Sequence, residues 1–186
     1  MRAPRSDLHL WRMRAGDAAP WRAIRLEALV TAPEAFGARH DEWADRPLAD
    51  FAAQLEKGEF WAAGLVAGQP EAVAALEDNI SPAEPDLGWI MSVYVRPGMR
   101  GRGLGDALFA RLAAVAARRG ITRLGLHVGR DNHHARSLYA RAGFIETGGP
   151  PFVNERGVTE IEMRRMLPHN PWRNPWRNLL RALRGS

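Results

Sequence analysis

The chain has 186 residues, 46% of them hydrophobic, which is enough to build one domain around its own core. Its formal net charge is +5, but four arginines lie in residues 169–186 without an acid, so the rest carries only +1 and no nucleic-acid binding is expected. The absence of cysteine excludes disulfides, thiolate catalysis and cysteine-ligated zinc. No apolar run is long enough to span a membrane and the first residues lack a hydrophobic leader, so we expect a cytoplasmic protein.

Hydrophobic periodicity predicts five elements in the first half of the chain. The first is a strand over residues 8–14, followed by a helix that Asp17 caps and that runs to about residue 31. Residues 33–46 are predicted as a loop or a short helix. A helix then begins near residue 48 and closes at Gly58, and residues 60–66 and 71–76 form a hairpin.

The second half begins with a strand over residues 88–95 that is apolar on both faces, which is typical of the centre of a sheet. A helix over about residues 104–119 and a strand over 123–128 follow. Asn132 then caps a short helix that Gly143 ends. Strands starting at Phe144 and covering residues 160–167 complete a β-α-α-β-β-β-α-β-α-β-β order.

A glycine-rich turn joins the strand that ends at Val95 to the helix that follows. The N–H groups at a helix N-terminus lack intrahelical partners, and glycines let a phosphate approach that backbone closely. The turn is not a Walker A loop, because no Gly-Lys-Ser/Thr follows, and it lacks the dinucleotide G-x-G-x-x-G spacing. It consists of Arg100, Gly101, Arg102, Gly103, Leu104 and Gly105.

A second motif lies downstream as Asn132-x-x-Ala135-x-x-Leu138-Tyr139-x-x-x-Gly143-Phe144. This string resembles the N-x-x-A-x-x-L-Y-x-x-x-G-F signature of the GNAT superfamily, the acyl-CoA-dependent N-acetyltransferases. The turn above likewise resembles the family's R/Q-x-x-G-x-G/A motif. The two motifs occur in the family's order, and the resemblance covers about residues 8–167.

The resemblance implies an α/β (α+β) fold. It consists of a mixed, mostly antiparallel twisted sheet of about seven strands, with helices on both faces and a splayed central strand. A GNAT domain is thus expected over residues 1–168. Residues 169–186 form a tail that repeats Asn-Pro-Trp-Arg. The tail either packs on the surface or docks an acidic partner, a membrane surface or a second subunit, and a homodimer is one open assembly.

The resemblance also implies transfer of an acetyl group from acetyl-CoA to a primary amine by direct attack. The turn from Arg100 to Gly105 would hold the CoA diphosphate. The backbone of the Val93, Tyr94 and Val95 strand would pair with pantetheine, and the Val93 N–H would face the oxyanion. Asn132 would hydrogen-bond pantetheine while capping its helix.

Tyr139 occupies the position of the family's general acid, where its hydroxyl would face the departing sulfur. Helical periodicity alone favours a core tyrosine at this position, and the motif favours the acid. A metal site is not expected, because the adjacent His133 and His134 rarely share one helix face.

The general base is where the chain departs from the family pattern. Many GNAT enzymes carry a glutamate on the central strand, whereas residues 89–92 are Trp-Ile-Met-Ser and contain no carboxylate. The candidates that remain, acting directly or through water, are Glu42, Glu77, Asp78 and His127.

The acceptor is expected to be a small-molecule amine. A protein or peptide amine is the alternative within the family, and a non-catalytic acyl-CoA-binding module is the alternative outside enzymes. The acceptor pocket is expected in residues 32–43, 79–86 and 148–157, which show the weakest periodicity.

Overall fold

The computed structural model describes residues 8–78 and 82–168. The proposed tail, residues 169–186, lies outside the described residues. The strands in these ranges are β1 (His9–Arg12), β2 (Glu59–Gly64), β3 (Ala72–Glu77), β4 (Leu87–Val95), β5 (Arg123–Gly129), β6 (Ile145–Glu146), β7 (Phe152–Val153) and β8 (Thr159–Met166). The α-helices are α1 (Ala18–Thr31), α2 (His40–Ala44), α3 (Leu48–Lys57), α4 (Leu104–Arg119) and α5 (His133–Arg141).

The strands form one sheet in the order β1-β2-β3-β4-β5-β8-β6, and β7 also pairs with β8. Only the β4–β5 pair is parallel, so the predicted mixed and mostly antiparallel sheet is confirmed. The described residues contain one strand more than the seven predicted. The additional strand, β7, lies within residues 148–157, where the sequence predicted no regular structure. With two residues it is too short to show an alternating pattern.

Helices cover both faces of the sheet, as predicted, and each face has its own apolar core. Neighbouring residues of β2 and β3 alternate between the two cores, since successive strand side chains point to opposite faces. Helices α1 and α3 contribute Trp21, Ile24 and Phe51 to one core. Helices α4 and α5 contribute Phe109 and Tyr139 to the other.

The central strand β4 leaves its parallel neighbour part-way along its length. It pairs with β5 only from Leu87 to Trp89, yet it stays paired with β3 as far as Val95. Between two positions paired with β3, β4 carries one extra residue, and Ser92 there has a φ of 53°. This bulge and the separation from β5 confirm the predicted splayed central strand.

One local detail differs from the sequence prediction, and two others agree with it. Asp17 does stand at the N-cap of α1, but its carboxylate accepts from the backbone N of Arg14 at 2.8 Å and makes no cap bond to α1. Residues 33–46 contain the short helix α2 preceded by a 3₁₀ turn at Pro33–Ala35. The bounds of α4 agree with those predicted, because Gly120 ends the helix with a φ of 87°.

A buried carboxylate fixes the end of α4 that is remote from the glycine-rich turn. Glu59 of β2 is 4% exposed and accepts from the indole N–H of Trp61 at 2.8 Å. It forms ion pairs with Arg12 of β1, at 3.0 Å, and with Arg119 at the C-terminal end of α4. Three elements are therefore joined through one buried charge.

We expect Glu59→Gln to lower the free energy of unfolding by about 3 kcal/mol, because it leaves two arginines without their buried partner. Urea unfolding at neutral pH measures this. The exposed Glu56 of α3 offers the control, and Glu56→Gln should stay within about 0.5 kcal/mol of the parent. Equal stability of the two variants would show that this ion-pair cluster contributes nothing net.

Candidate active site

A cleft of about 1260 Å³ opens where β4 and β5 separate. Its walls come from the part of β4 that β5 leaves free, the end of β5, the glycine-rich turn, α5 and residues 31–38. The 3₁₀ turn Pro33–Ala35 reaches across to lie against β5. The cleft therefore connects the two faces of the sheet.

The glycine-rich turn is shaped by two left-handed residues. Gly101 and Gly103 have φ values of 74° and 83°, which L-residues rarely adopt, and Gly103 is the N-cap of α4. The N–H of Ala107 donates to the Gly103 carbonyl at 3.0 Å, so the helix N–H groups before it are left for a ligand. Among the described residues, and apart from its own chain neighbours, no atom lies within 4 Å of where a Gly103 Cβ would stand, so this backbone is open to an anion.

Two other residues of the turn have packing roles. Leu104 is buried in the core, so only its backbone faces the cleft. A Cβ at Gly105 would lie 3.1 Å from a side-chain carbon of Leu138. Gly105 therefore lets α5 pack closely against the start of α4, which positions the second motif beside the turn.

The two arginines of the turn occupy different places. Arg100 lines the cleft, and its Nε donates to the Val95 carbonyl at 3.3 Å. Arg102 is exposed and is not among the lining residues. The geometry therefore favours Arg100 over Arg102 as a ligand for a bound anion.

Val93, Tyr94 and Val95 all line the cleft on the part of β4 that β5 does not pair with. The side chain of Tyr94 points into the α1–α3 core, where its hydroxyl contacts Glu27 at 3.0 Å and Thr31 at 2.9 Å. Burial raises the pKa of Tyr94. Tyr94 thus offers only its backbone to the cleft, while its hydroxyl links β4 to α1.

Asn132 is the N-cap of α5 and Tyr139 lies on that helix, and both line the cleft. The Asn132 carboxamide oxygen accepts from the Ala135 N–H at 3.1 Å, so the predicted helix cap is confirmed. Tyr139 is 7% exposed, and its ring packs edge-on against Phe109, at 5.6 Å between centroids, and Phe144.

The Tyr139 hydroxyl is available as a hydrogen-bond donor. Burial raises the pKa of Tyr139, which keeps the phenol protonated at neutral pH. Its hydroxyl forms no hydrogen bond with any residue in the two described ranges. A group that enters the cleft can therefore take this donor.

Of the four candidate bases, His127 lines the cleft and the other three do not. Glu42 accepts from the backbone N of Arg39 at 2.9 Å, Asp78 pairs with Arg119 at 3.1 Å, and Glu77 is an exposed residue opposite Trp89 at the end of β3. The structure thus separates candidates that the sequence left equal.

The imidazole of His127 sits between two aromatic rings, at 4.6 Å from Trp89 and 4.7 Å from Phe152. Burial lowers the pKa of His127, against the opposing effect of Glu160 and Glu162 and with a smaller lowering by Arg164. The imidazole is therefore neutral at pH 7 and able to accept a proton.

Sequence reasoning missed several charged residues of the cleft. Glu84 and Glu160 line it; Glu84 pairs with Arg164 at 2.8 Å, and Glu160 accepts from the side chain of Asn154 at 2.7 Å. Arg25 of α1 also lines it. Arg25 lies four residues after Trp21 on the inner face of α1, and this spacing could have revealed it.

The segments expected to hold the acceptor contribute unequally. Residues 32–38 supply much of one wall, and Glu84 supplies one position. Residues 79–81 lie outside the described ranges, and residues 148–157 line none of the cleft.

Residues 8–78 and 82–168 contain no cluster of three or more histidine, aspartate or glutamate side chains placed to hold a metal ion. None of their helices combines the length and apolar character needed to cross a bilayer.

Residues 21–144 match the model of the acetyltransferase (GNAT) family, which is about two thirds of the chain. The chain belongs to the GNAT family. Among solved structures, a GNAT acetyltransferase from Streptococcus pneumoniae aligns with a TM-score of 0.73 at 19% identity, over 87% of this chain and 100% of that one. A Salmonella typhimurium structure described as a putative acetyltransferase with its cofactor acetyl-CoA has a TM-score of 0.69 at 23% identity, over 91% and 99%. These likenesses establish the fold.

Curated GNAT relatives include proteins named mycothiol acetyltransferase. That of Streptomyces scabiei is 32% identical over 132 residues, covering 69% of this chain and 40% of the relative. That of Salinispora arenicola is 32% identical over 130 residues, covering 67% and 40%. The chain thus spans about two fifths of the length of these relatives.

Gly103 has a left-handed backbone and open space where a Cβ would stand. Two variants that differ from each other only in charge can therefore test the turn. Asparagine and aspartate both tolerate this backbone, so Gly103→Asn and Gly103→Asp should be strained alike. We expect the aspartate variant to bind CoA at least about 10-fold more weakly than the asparagine variant, because its carboxylate faces the diphosphate. Calorimetry measures both affinities, and equal values would contradict the assignment of the diphosphate to this turn.

Proposed function

We propose that this GNAT protein is an N-acetyltransferase that transfers an acetyl group from acetyl-CoA to the primary amine of a small molecule, by direct attack. One observation carries the proposal. The open glycine turn, the part of β4 that does not pair with β5 and the hydroxyl-bearing Tyr139 all line the same cleft. Family membership and the name of the curated relatives support acetyl transfer, and neither specifies this acceptor.

Acetyl-CoA fits the cleft through groups of the glycine-rich turn, β4 and the N-cap of α5, all of which line it. The N–H groups at the start of α4 suit the diphosphate, with Arg100 adding positive charge. Pantetheine carries amides that can pair with the free backbone of Val93 and Val95, as a strand would. Asn132 supplies a further amide beside that path.

The chemistry then needs three contributions from the chain. The neutral amine attacks the thioester carbonyl, and the Val93 N–H stabilises the negative charge that develops on its oxygen. The C–S bond breaks, and the departing thiolate takes the proton of the Tyr139 hydroxyl. The amine nitrogen gives up its proton to a base, for which His127 is the proposed residue, acting directly or through water.

The alternative functions would require different features of the chain. A protein or peptide acceptor would use the same chemistry and would have to reach the cleft as an extended segment. A non-catalytic acyl-CoA-binding module would have no use for an unbonded tyrosine hydroxyl in the cleft.

The proposed location is the cytoplasm, consistent with a sequence free of cysteine.

Release of CoA thiol in the presence of a panel of amines tests the proposal directly, and the cysteine-free chain contributes no background thiol. Acetyl-CoA-dependent thiol release with a small amine, matched by the N-acetylated product in mass spectrometry, is the expected result. CoA binding without thiol release for any small amine or peptide would favour the non-catalytic module.

We expect Tyr139→Phe to lower kcat by about 10²-fold, because it removes the proton donor and keeps the ring packing against Phe109. Steady-state kinetics measures kcat, while calorimetry should give an unchanged affinity for acetyl-CoA. Near-parental kcat in a variant whose chemical step limits the rate would make Tyr139 a core residue only.

The role of His127 predicts a pH dependence. Since burial lowers its pKa below the ordinary 6.5, kcat/KM should fall as the pH drops through a midpoint below that value, where the imidazole becomes protonated. The same acidic limb should vanish in His127→Asn, which should also be slower at pH 7. An unchanged acidic limb in the variant would assign the base to another group, with Glu160, a carboxylate that also lines the cleft, the next to test.

A further inference from the structure

Arg25 is the most deeply buried arginine described in the cleft wall, with 7% of its surface exposed. Its guanidinium carbon lies 5.3 Å from the ring centroid of Phe36, 5.6 Å from that of Trp43 and 5.9 Å from that of Trp21. Three aromatic rings from α1, α2 and the segment between them therefore surround one positive charge.

This charge has no counterion in the part of the chain that the structure describes. Arg25 forms no hydrogen bond or ion pair there, and its Nε is buried without an acceptor. Arg12 and Arg22 also have a buried, unbonded Nε, but their terminal nitrogens bond Glu59 and the Ala44 carbonyl.

The burial of Arg25 has an electrostatic cost that its surroundings leave uncompensated. Burial lowers the pKa of Arg25 to about 10, so the side chain stays charged at neutral pH. Aromatic faces attract a cation, but they offer no oxygen to its N–H donors. Buried charges in proteins are normally paired. Because Arg25 is unpaired and lies at a cleft wall, its position points to a ligand that supplies the missing oxygens.

The position of Arg25 separates it from the expected diphosphate site. Arg25 lies on α1, which covers the sheet face opposite to α4 and its glycine turn. The neighbouring lining residues are those of 31–38, which form the wall where an acceptor was expected. Arg25 therefore faces the acceptor end of the cleft.

We propose that Arg25 binds a carboxylate of the acceptor, so that the substrate class is amino acids and related amines that carry an acid group. This inference rests on the proposed acetyl transfer, whose acceptor it specifies. The planar guanidinium can bind both carboxylate oxygens, and the aromatic rings hold it in place and exclude water. The acid group would orient the amine toward the thioester.

Matched pairs of amino acids and their amides, supplied to the enzyme with saturating acetyl-CoA, test this inference. In the parent protein, kcat/KM for the acid should exceed that for the amide by about 10²-fold. Arg25→Met, which keeps the length and apolar packing of the side chain, should abolish this preference by lowering kcat/KM for the acid alone.

Arg46→Met is the matched control. Arg46 also stacks on Trp43, at 4.5 Å, but it is exposed and outside the cleft, so its loss should leave the preference intact. Arg25→Lys keeps the charge without the two-pronged donor geometry and should retain an intermediate preference. If circular dichroism shows that Arg25→Met does not fold, the acid-over-amide preference of Arg25→Lys is the test instead.

A second measurement needs no turnover. Calorimetry with N-acetyl amino acids and their amides, in the presence of CoA, should show that the parent binds the acids more tightly and that Arg25→Met does not. If no amine is acetylated but this preference persists, the acetyl-transfer proposal fails and the anion site stands. Equal losses for acid and amide, or weaker binding of CoA itself in Arg25→Met, would overturn the assignment of Arg25 to the acceptor.

Discussion

The separation of β4 from β5 after Trp89 is the constraint on which the rest of the structure depends. Backbone N–H and C=O groups are obligatory hydrogen-bonding groups, so a central strand that leaves its neighbour forgoes bonds it would otherwise make. The extra residue at Ser92, with its unfavourable positive φ, turns β4 while its pairing with β3 continues to Val95. The strain and the free edge persist because the two apolar cores fix the sheet from its two faces. A ligand with amides of its own can restore the missing bonds.

The same separation lets elements from opposite faces share one cleft. The α4–α5 face contributes the glycine turn and Tyr139, and the close contact between Gly105 and Leu138 sets the distance between them. The α1–α3 face contributes Arg25 and the segment 31–38. In a fully paired sheet these two sets would be isolated from each other. The cleft can therefore hold a long cosubstrate and a second molecule that meet at the gap in the sheet.

Elements with local signals were predictable from the sequence. The bounds of α4 followed from its helical pattern, and the cap at Asn132 followed from the spacing of its motif. Long-range features were not. The two-residue β7 exists only through its pairing with β8, and the choice of His127 among four candidate bases depends on which strand ends meet at the cleft. Arg25 carried a spacing signal on an apolar helix face, but nothing local could show that it lacks a counterion.

The polar groups inside the protein divide into two kinds. Glu59 is buried with two arginines and an indole N–H around it, and Tyr94 shares Glu27 with Arg96, so in these networks every carboxylate is paired and the elements are held together. The Tyr139 hydroxyl and the Arg25 guanidinium have no such bonds among the described residues, although each lies in a mostly apolar surrounding. The buried Nε of Arg25, which has no acceptor, costs stability that packing elsewhere must offset. Both face the one cleft, from opposite faces of the sheet, and this arrangement suits a leaving thiolate on one side and an anionic acceptor on the other.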